Sequence, residues 1–252
     1  KGLKYIIKKL YLSVRYFKYM QKIIKAPKKT LPKNGVAIAF IGADGSGKST
    51  IVKDISKWIN WKIEVKQVYM GIPKSSIFLY ILNSIRKVIR RLSAVFNNEY
   101  SLKINRYFMS FQWIYIGYVR FRNSKKINRY IENGKIVIVD RYPINLFDAM
   151  NEPMDRPRIK KMFLKNTLLS RCEEYFYNRI KMPDFIFSLK ADIDTLRNRK
   201  SNIDMTSHLD KVNAINNIIP NSDLFVVDAT QAYQDVLAKI KKQIWRKLIE
   251  IN

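Results

Sequence analysis

Residues 40–50 of the chain read FIGADGSGKST; they overlap the end of the apolar run GVAIAFI at residues 35–41 and lead into a helical pattern at residues 48–59. The segment from Gly42 to Ser49 matches the pattern G-x-x-x-x-G-K-[ST] of a phosphate-binding loop. Such a loop needs glycine because its backbone turns tightly and its amides approach phosphate oxygens closely, where a Cβ atom would obstruct them. A buried strand before the loop and a helix after it are the context that the motif requires, so the sequence predicts a nucleotide-phosphate site.

The loop predicts a role for each of its polar groups. Backbone amides and the N-terminal dipole of the following helix attract phosphate oxygens. Lys48 is expected to reach the β- and γ-phosphates of a nucleoside triphosphate, and the Ser49 hydroxyl is expected to bind Mg²⁺. The predicted nucleotide-binding residues are Gly42, Ala43, Asp44, Gly45, Ser46, Gly47, Lys48, Ser49 and Thr50.

The composition limits the class of protein and the kind of partner. Of the 252 residues, 47% are hydrophobic and 13% are aromatic, which excludes a disordered chain. Lys and Arg number 48 against 20 Asp and Glu, so the formal net charge is +28. That excess favours a polyanionic partner such as nucleic acid, an acidic glycan or anionic lipid, and a lysine-rich bias of the source proteome is the alternative explanation.

Cysteine and histidine are each present once, as Cys172 and His208. A lone cysteine gives neither a disulfide framework nor a cysteine-based zinc site, and a reducing, cytoplasmic compartment is predicted. A lone histidine argues against a Ser-His-Asp triad and against a histidine-ligated metal. No apolar run reaches the length of a membrane-spanning helix, and the N-terminal residues lack the pattern of a signal peptide.

Two regions are predicted along the chain, a basic N-terminal extension and linker at residues 1–34 and one α/β domain at residues 35–252. Within residues 1–25, apolar side chains recur at helical spacing, and lysines and arginines alternate with them. A basic amphipathic helix of this kind either lies on an anionic membrane surface or docks its apolar stripe on the domain that follows. Both alternatives stay open, and the first predicts peripheral attachment to the inner face of a membrane.

Strand-like and helical segments alternate from Gly35 onward. The strand-like runs are GVAIAFI, IEVKQVYM, KIVIVD, PDFIFSL and LFVVDA, and longer amphipathic or aromatic stretches separate them. Apolar strands that alternate with helices predict an α/β fold with a mainly parallel five-stranded sheet covered by helices on both faces. The aromatic helical stretch at residues 107–121 is interpreted either as core or as the wall of a substrate pocket.

A second motif follows the strand KIVIVD, where Asp140 and Arg141 end the apolar run. An acidic side chain at the carboxyl end of a strand beside the phosphate loop is placed to hold Mg²⁺, directly or through water. Arg141 is placed to neutralise phosphate charge. Together with the loop, this pair predicts a site for phosphate chemistry at one edge of the sheet.

With these motifs the chain resembles the thymidylate kinase family of phosphate-loop kinases. The resemblance is carried by IGADGSGKST, IVIVDRY, PDFIFSLKADIDTLRNRK and VVDAT, which follow one another in the family's order over residues 35–248. It implies the phosphate-loop kinase fold, ATP as phosphoryl donor, Mg²⁺ as cofactor and a homodimer. The implied activity is transfer of the γ-phosphoryl group of ATP to a nucleoside monophosphate such as dTMP.

The resemblance also implies roles for individual residues. Asp44 faces the acceptor from inside the loop, and an arginine of the helix before KIVIVD binds the acceptor phosphate, with Arg120 and Arg122 as the candidates. The other implied acceptor contacts are Arg141 and Tyr142, and the implied lid residues are Arg197, Arg199 and Lys200. The predicted catalytic residues are Lys48, Asp44, Asp140, Arg141, Arg197 and Arg199, and the predicted metal ligands are Ser49 and Asp140.

The stretch after Tyr142 differs from the family, because PINLFDAM stands where small hydroxyl residues and a tyrosine line the nucleoside pocket. The region between the second strand and KIVIVD is also long and apolar. These departures leave a second function open, a kinase of the same fold that acts on a sugar, glycan or lipid-linked acceptor at the membrane surface. A third is a nucleic-acid-associated phosphate-loop protein whose net charge attracts it to a polyanion.

Overall fold

The structure of the chain is a computed structural model that describes residues 11–13, 15, 28–73, 76–96, 99–143, 157–163, 167–199, 212–213, 215–216, 218–220 and 222–251. Its strands are β1 (Ala37–Gly42), β2 (Val65–Tyr69), β3 (Ile136–Asp140), β4 (Phe185–Lys190) and β5 (Leu224–Asp228). The helices that follow these strands or lie between them are α1 (Lys48–Ile59), α2 (Ile77–Phe96), α3 (Glu99–Glu132), α4 (Ile159–Phe163), α5 (Leu168–Tyr177), α6 (Ile193–Arg199) and α7 (Tyr233–Ile251).

The five strands form one sheet in the order β2-β3-β1-β4-β5, and every neighbouring pair is parallel. All residues of β1 are buried. Because successive side chains of a strand point to opposite faces, this burial means that both faces of the sheet are covered. The predicted α/β fold, a parallel five-stranded sheet between helices, is therefore confirmed.

The first helix, α1, begins and ends where its sequence pattern predicts. Its apolar residues Ile51, Val52, Ile55 and Ile59 lie on one helical face, and all four are buried. This face packs on β1 and β3. The packing holds the N-terminus of α1 beside the end of β1, which is the arrangement that a phosphate loop needs.

The carboxyl ends of β1, β2 and β3 lie together at one edge of the sheet. Phe40 of β1 and Tyr69 of β2 are both in register with Asp140 of β3. The main-chain N–H of Met70 donates a hydrogen bond to the Asp140 carbonyl at 2.9 Å. The phosphate loop and the Asp140-Arg141 motif therefore meet at the edge where α/β sheets commonly bind ligands.

Two long helices, α2 and α3, pack against each other, and α3 also packs on β2 and β3. α3 spans 34 residues and so extends well beyond the aromatic stretch at residues 107–121. It buries Ile116 and Ile127, whereas Tyr107 and Phe111 are about half exposed. None of the aromatic rings in that stretch is fully buried, so the interpretation of the stretch as core is only partly right.

Residues 28–34, predicted as part of the linker, make backbone hydrogen bonds with the domain. Lys29 forms a parallel β-bridge with Ile63. The N–H of Leu31 donates to the Gly134 carbonyl at 2.8 Å. This part of the linker is therefore bound to the surface of the α/β domain rather than separated from it.

Most of residues 1–25 lies outside the described residues. The two alternatives for that basic segment, and the domain boundary at residue 34, therefore stay predictions. Of the helices within the described ranges, none combines the length and the hydropathy needed to cross a membrane.

Candidate functional site

The phosphate loop connects β1 to α1 and depends on glycine at two positions. Gly47 is the N-cap of α1 and has φ 85° and ψ 6°, a left-handed conformation that costs other residues about 1–2 kcal/mol. A Cβ atom on Gly42 would lie 2.6 Å from Ser46 Oγ and 3.0 Å from the carbonyl oxygen of Leu189 in the neighbouring strand. The loop therefore closes tightly over the end of β1 and brings main-chain amides to the N-terminus of α1.

Lys48, the first residue of α1, turns its side chain back into the loop. Its ammonium group donates hydrogen bonds to the carbonyl oxygens of Gly42 at 2.7 Å and Ala43 at 2.5 Å. Only 8% of the residue is exposed. A positive charge held beside a helix N-terminus and its main-chain amides forms an anion-binding site.

Ser49 and Thr50 follow Lys48 in the first turn of α1, and both are exposed. The N–H of Thr50 donates to the Gly47 carbonyl at 3.1 Å, which closes the first turn of the helix. Ser46, by contrast, is buried within the loop. The two exposed hydroxyl-bearing residues are therefore accessible to a ligand that binds at the loop.

A cavity of about 260 Å³ opens beside the loop, and its lining consists of Ser46, Gly47, Thr50, Ile51, Arg199, Ala229, Gln231, Tyr233 and Val236. The Arg199 guanidinium fixes one wall by donating to the Ala229 carbonyl at 3.0 Å. The Tyr233 hydroxyl donates to the Asp54 carboxylate at 2.6 Å. Burial, together with this carboxylate, raises the pKa of Tyr233 to about 12. The cavity offers room for the part of a ligand that the loop itself does not hold.

Asp140 ends β3 next to the loop. Its Oδ1 atom is buried and has no hydrogen-bond partner among the described residues. A buried carboxylate oxygen without a partner costs free energy unless a bound group donates a hydrogen bond to it or a cation binds to it. Within the described ranges no group of three or more His, Cys, Asp or Glu side chains lies together. A metal ion at Asp140 would therefore depend on Ser49, water and phosphate oxygens for its other ligands, as Mg²⁺ commonly does.

Asp44 and Arg141 form an ion pair in which Arg141 Nη2 donates to Asp44 Oδ1 at 3.0 Å. Arg141 has φ 57°, a left-handed conformation that a bulky residue adopts at a cost and that is frequent at functional sites. β3 and β5 lie on opposite sides of β1 in the sheet. The ion pair and the cavity therefore flank the phosphate loop from opposite sides.

Arg120 lies on α3 and is fully buried, with 0% exposure. Its Nε donates to the Met70 carbonyl at 2.8 Å, and its Nη1 donates to the Tyr177 hydroxyl at 2.5 Å. Arg122, the other predicted candidate, is exposed, and its guanidinium lies 5.9 Å from the ring centre of Tyr118. The structure thus places Arg120, and not Arg122, behind the carboxyl ends of β2 and β3.

The remaining predicted site residues make no hydrogen bond with the phosphate loop that the described part of the structure shows. Tyr142 is buried, its hydroxyl donates to the Lys181 carbonyl, and burial raises the pKa of the phenol. An acceptor contact through this hydroxyl would break that hydrogen bond, so the predicted contact stays a prediction. Arg197 is exposed at the end of α6, while Lys200 and residues 144–150 lie outside the described part of the chain.

Some residues of the site belong to no motif. Gln231 and Tyr233 line the cavity, and Glu173 and Tyr177 reach the neighbourhood of Arg120 from α5. Glu173 is fully buried, and this burial raises the pKa of its carboxyl. Their helical spacing could have identified them in the sequence, because Glu173 and Tyr177 are four positions apart and share the buried face of α5. An acidic side chain on a buried face indicates a basic partner.

Sequence comparison finds relatives at low identity. The chain is 25% identical over 237 residues to the uncharacterized ATP-binding protein YghR of Escherichia coli strain K12, in an alignment that covers 82% of this chain and 86% of that protein. The same protein of E. coli O6:H1 gives the same identity and coverage. No protein-family model matches the chain.

Solved structures are similar in fold. Thymidylate kinase from Candida albicans has a TM-score of 0.51 at 17% identity and covers 85% of this chain and 92% of its own. Deoxyadenosine kinase from M. mycoides with bound dATP has a TM-score of 0.47 at 14% identity, over 83% of this chain and 98% of its own. The first similarity, together with the parallel sheet and the loop geometry, shows that the chain has the fold of the phosphate-loop nucleotide kinases.

Proposed function

We propose that the chain is an ATP- and Mg²⁺-dependent kinase that transfers the γ-phosphoryl group to a nucleoside monophosphate such as dTMP. The observation that carries the proposal is the Lys48 ammonium, which lies inside the loop between the cavity and the Asp44–Arg141 ion pair. Two comparisons support it: YghR is described as an ATP-binding protein, and a thymidylate kinase shares the fold.

In this proposal the triphosphate of the donor lies along the loop, and the rest of the nucleotide enters the cavity beside Arg199 and Tyr233. Lys48 exchanges its two carbonyl partners for phosphate oxygens, which are stronger acceptors because they carry charge. Asp140 and Ser49 are the residues that would hold Mg²⁺. When bound, this ion neutralises charge on the phosphate oxygens.

The reaction forms a bond between an acceptor oxygen and the γ-phosphorus and breaks the bond from that phosphorus to the bridging oxygen, which leaves with ADP. Alignment and charge neutralisation supply most of the catalysis in such transfers. Arg141 is placed to exchange Asp44 for phosphate charge, and Arg197 at the end of α6 is a further candidate. A phosphomonoester acceptor needs no general base, because its second pKa is about 6.

The burial of Arg120 favours a second class of acceptor. The guanidinium is buried, and a phosphate group could take the place of the Tyr177 hydroxyl at Nη1 only after that hydroxyl had moved away. An acceptor that presents a hydroxyl at this end, such as a sugar, a glycan or a lipid-linked sugar, avoids that rearrangement. Asp44 or Asp140 would then orient the hydroxyl and accept its proton.

Four further predictions belong to this proposal: a homodimer, a cytoplasmic location, peripheral contact with an anionic membrane through residues 1–25, and, as an alternative function, association with nucleic acid. A steep fall of oligonucleotide binding with rising salt would favour the last of these over the kinase.

A screen of ATP consumption tests the proposed function. Purified full-length chain with Mg²⁺ and ATP is assayed against nucleoside monophosphates, free sugars and phosphosugars, and ADP release is followed. We expect turnover with dTMP or another nucleoside monophosphate, and turnover only with sugars would establish the second class. Absence of ATP binding in calorimetry would contradict both classes.

Arg199 offers a test of how the donor is held. Because its guanidinium forms a wall of the cavity and bonds to Ala229, we expect Arg199→Ala to raise KM for ATP roughly tenfold, which corresponds to about 1.4 kcal/mol. We expect little change in kcat, since the wall contacts the donor equally before and during transfer. Steady-state kinetics with varied ATP separates the two constants.

The sequence-based prediction for Arg199 differs from this expectation. A lid arginine over the transferring phosphoryl group would lower kcat instead of raising KM. Arg197→Ala is the matched variant, because Arg197 belongs to the same helix and is exposed. A fall in kcat for Arg197→Ala, with Arg199→Ala changing only KM, would assign the lid role to Arg197.

A further inference from the structure

The outward face of α2 is apolar. Ile77, Ile81, Ile85 and Val88 recur at spacings of four, four and three, which places them on one side of the helix. Their exposed fractions are 77%, 50%, 40% and 55%. They form a stripe, called the α2 stripe below, that extends about 16 Å along the helix axis.

The opposite face of α2 carries polar groups and is turned toward α3. Gln112 of α3 donates from Nε2 to Asn83 Oδ1 at 3.0 Å, and Arg86 donates from Nη1 to Gln112 Oε1 at 3.3 Å. The helix is further fixed by Leu79, which is buried. An ordinary surface helix turns its apolar stripe to the core and its polar face to solvent. α2 instead leaves this apolar stripe exposed and directs Asn83 and Arg86 to α3.

The charge of α2 has one sign. The helix contains four basic residues, Arg86, Lys87, Arg90 and Arg91, and no acidic residue. Lys87 and Arg91 are exposed, and helical spacing places them along the flank of the α2 stripe. An exposed apolar stripe with cations beside it is the pattern of a helix that lies in the plane of a membrane interface.

We propose that α2 binds the surface of an anionic phospholipid bilayer through this stripe. A bilayer accepts the four aliphatic side chains among its acyl chains and pairs its phosphate groups with Lys87 and Arg91. A second copy of the chain would also cover the stripe. However, α2 against α2 brings cations of one copy against cations of the other without a carboxylate on either helix, and such like-charge contacts are unfavourable.

This inference does not depend on the proposed kinase activity. α2 begins shortly after Met70, whose carbonyl accepts the hydrogen bond from Arg120. α2 also packs on α3, the helix that carries Arg120, so attachment through α2 would hold this pair of helices at the bilayer surface.

Flotation of the full chain with vesicles tests the inference. One set of vesicles contains equal parts of phosphatidylcholine and phosphatidylglycerol, and the other contains phosphatidylcholine alone. We expect the chain to float only with the anionic vesicles. Ile81→Asn combined with Val88→Asn is expected to weaken binding about ten- to hundred-fold, because two exposed aliphatic groups no longer enter the bilayer.

A matched pair of apolar variants controls for a general loss of hydrophobicity. Ile219 and Ile249 are exposed by 83% and 64%; Ile219 shortly precedes β5 and Ile249 belongs to α7, which packs on β5 at the opposite edge of the sheet from β2. Ile219→Asn with Ile249→Asn should leave flotation unchanged. Unchanged thermal unfolding of both double variants verifies that the exposed substitutions leave the fold intact.

A second matched pair separates local charge from net charge. Lys87→Gln with Arg91→Gln is expected to weaken binding to anionic vesicles roughly thirty-fold, at about a factor of five for each cation near the surface. Lys242→Gln with Arg246→Gln removes the same charge from exposed positions on α7 and should have much less effect. Equal losses for the two pairs would overturn the proposal in favour of non-specific attraction by the net charge.

Two other outcomes would also overturn it. One is vesicle binding that the Ile81→Asn/Val88→Asn variant retains in full, which would assign any attachment to another part of the chain. The other is a wild-type dimer in analytical ultracentrifugation that this variant converts to a monomer, without vesicle binding by either form. That result would identify the α2 stripe as an interface between two copies.

Discussion

Replacement of Lys48 by alanine is expected to lower kcat of the proposed kinase about 10³-fold. The Lys48 ammonium is the cation that the loop itself positions, with two carbonyl oxygens of the loop at 2.7 and 2.5 Å. Phosphoryl transfer depends on neutralising the charge that the transferring group carries. Removal of a preorganised cation therefore raises the transition-state free energy by roughly 4 kcal/mol.

The same substitution has a smaller consequence for folding. It leaves the carbonyl oxygens of Gly42 and Ala43 without the ammonium, and loss of partners for buried groups costs about 1–3 kcal/mol. We expect thermal unfolding to begin a few degrees lower, with the fold retained. The large kinetic effect and the small stability effect together distinguish a phosphate-binding lysine from a structural one.

Lys53→Ala is the matched control for Lys48→Ala. Lys53 belongs to the same helix and is exposed, so its removal tests whether any positive charge of α1 supports activity. We expect kcat of Lys53→Ala to equal that of the wild type. If Lys48→Ala stays within about tenfold of the wild-type rate, the loop is not the donor site and the proposed function is wrong.

Sequence reasoning succeeded where the determining pattern is local. The bounds of α1 at Lys48 and Ile59 follow from the phosphate-loop motif and from apolar residues on one helical face. The parallel sheet follows from its three central strands, β3, β1 and β4, which are mostly apolar and almost fully buried, since only a sheet covered on both faces buries nearly every residue of a strand. These features depend on residues a few positions apart.

The rest of the candidate site depends on residues that are distant in the chain. Arg120 and Tyr177 are 57 positions apart, and Arg141 and Asp44 are 97 apart. The resemblance named three of these four residues, but neither contact follows from spacing. The first depends on the packing of α3 against α5, and the second depends on the pairing of β1 with β3. The exposed α2 stripe is a further case: an apolar stripe at helical spacing is ordinarily buried, whereas here it is exposed and Asn83 and Arg86 hydrogen-bond to α3.

Asp140→Asn is expected to lower kcat roughly 10²–10³-fold while leaving the ligand-free protein equally stable or more stable by about 1 kcal/mol. The two effects have opposite signs because the buried Oδ1 has no hydrogen-bond partner among the described residues. In the ligand-free protein, the negative charge of this atom is a cost, and the isosteric amide reduces that cost. In the proposed kinase, the same charge is what would hold Mg²⁺ near the phosphates.

A magnesium titration of activity separates this explanation from a purely structural one. Asparagine is a weaker ligand than aspartate, so half-maximal activity of Asp140→Asn should require at least about tenfold more Mg²⁺. Asp184→Asn is the matched control: Asp184 accepts the Ala37 N–H at 2.7 Å at the other end of β1, and an amide oxygen can also accept that bond. If Asp140→Asn destabilised the fold and left the magnesium requirement unchanged, Asp140 would support the sheet edge rather than the metal, and the metal-binding role would have to be abandoned.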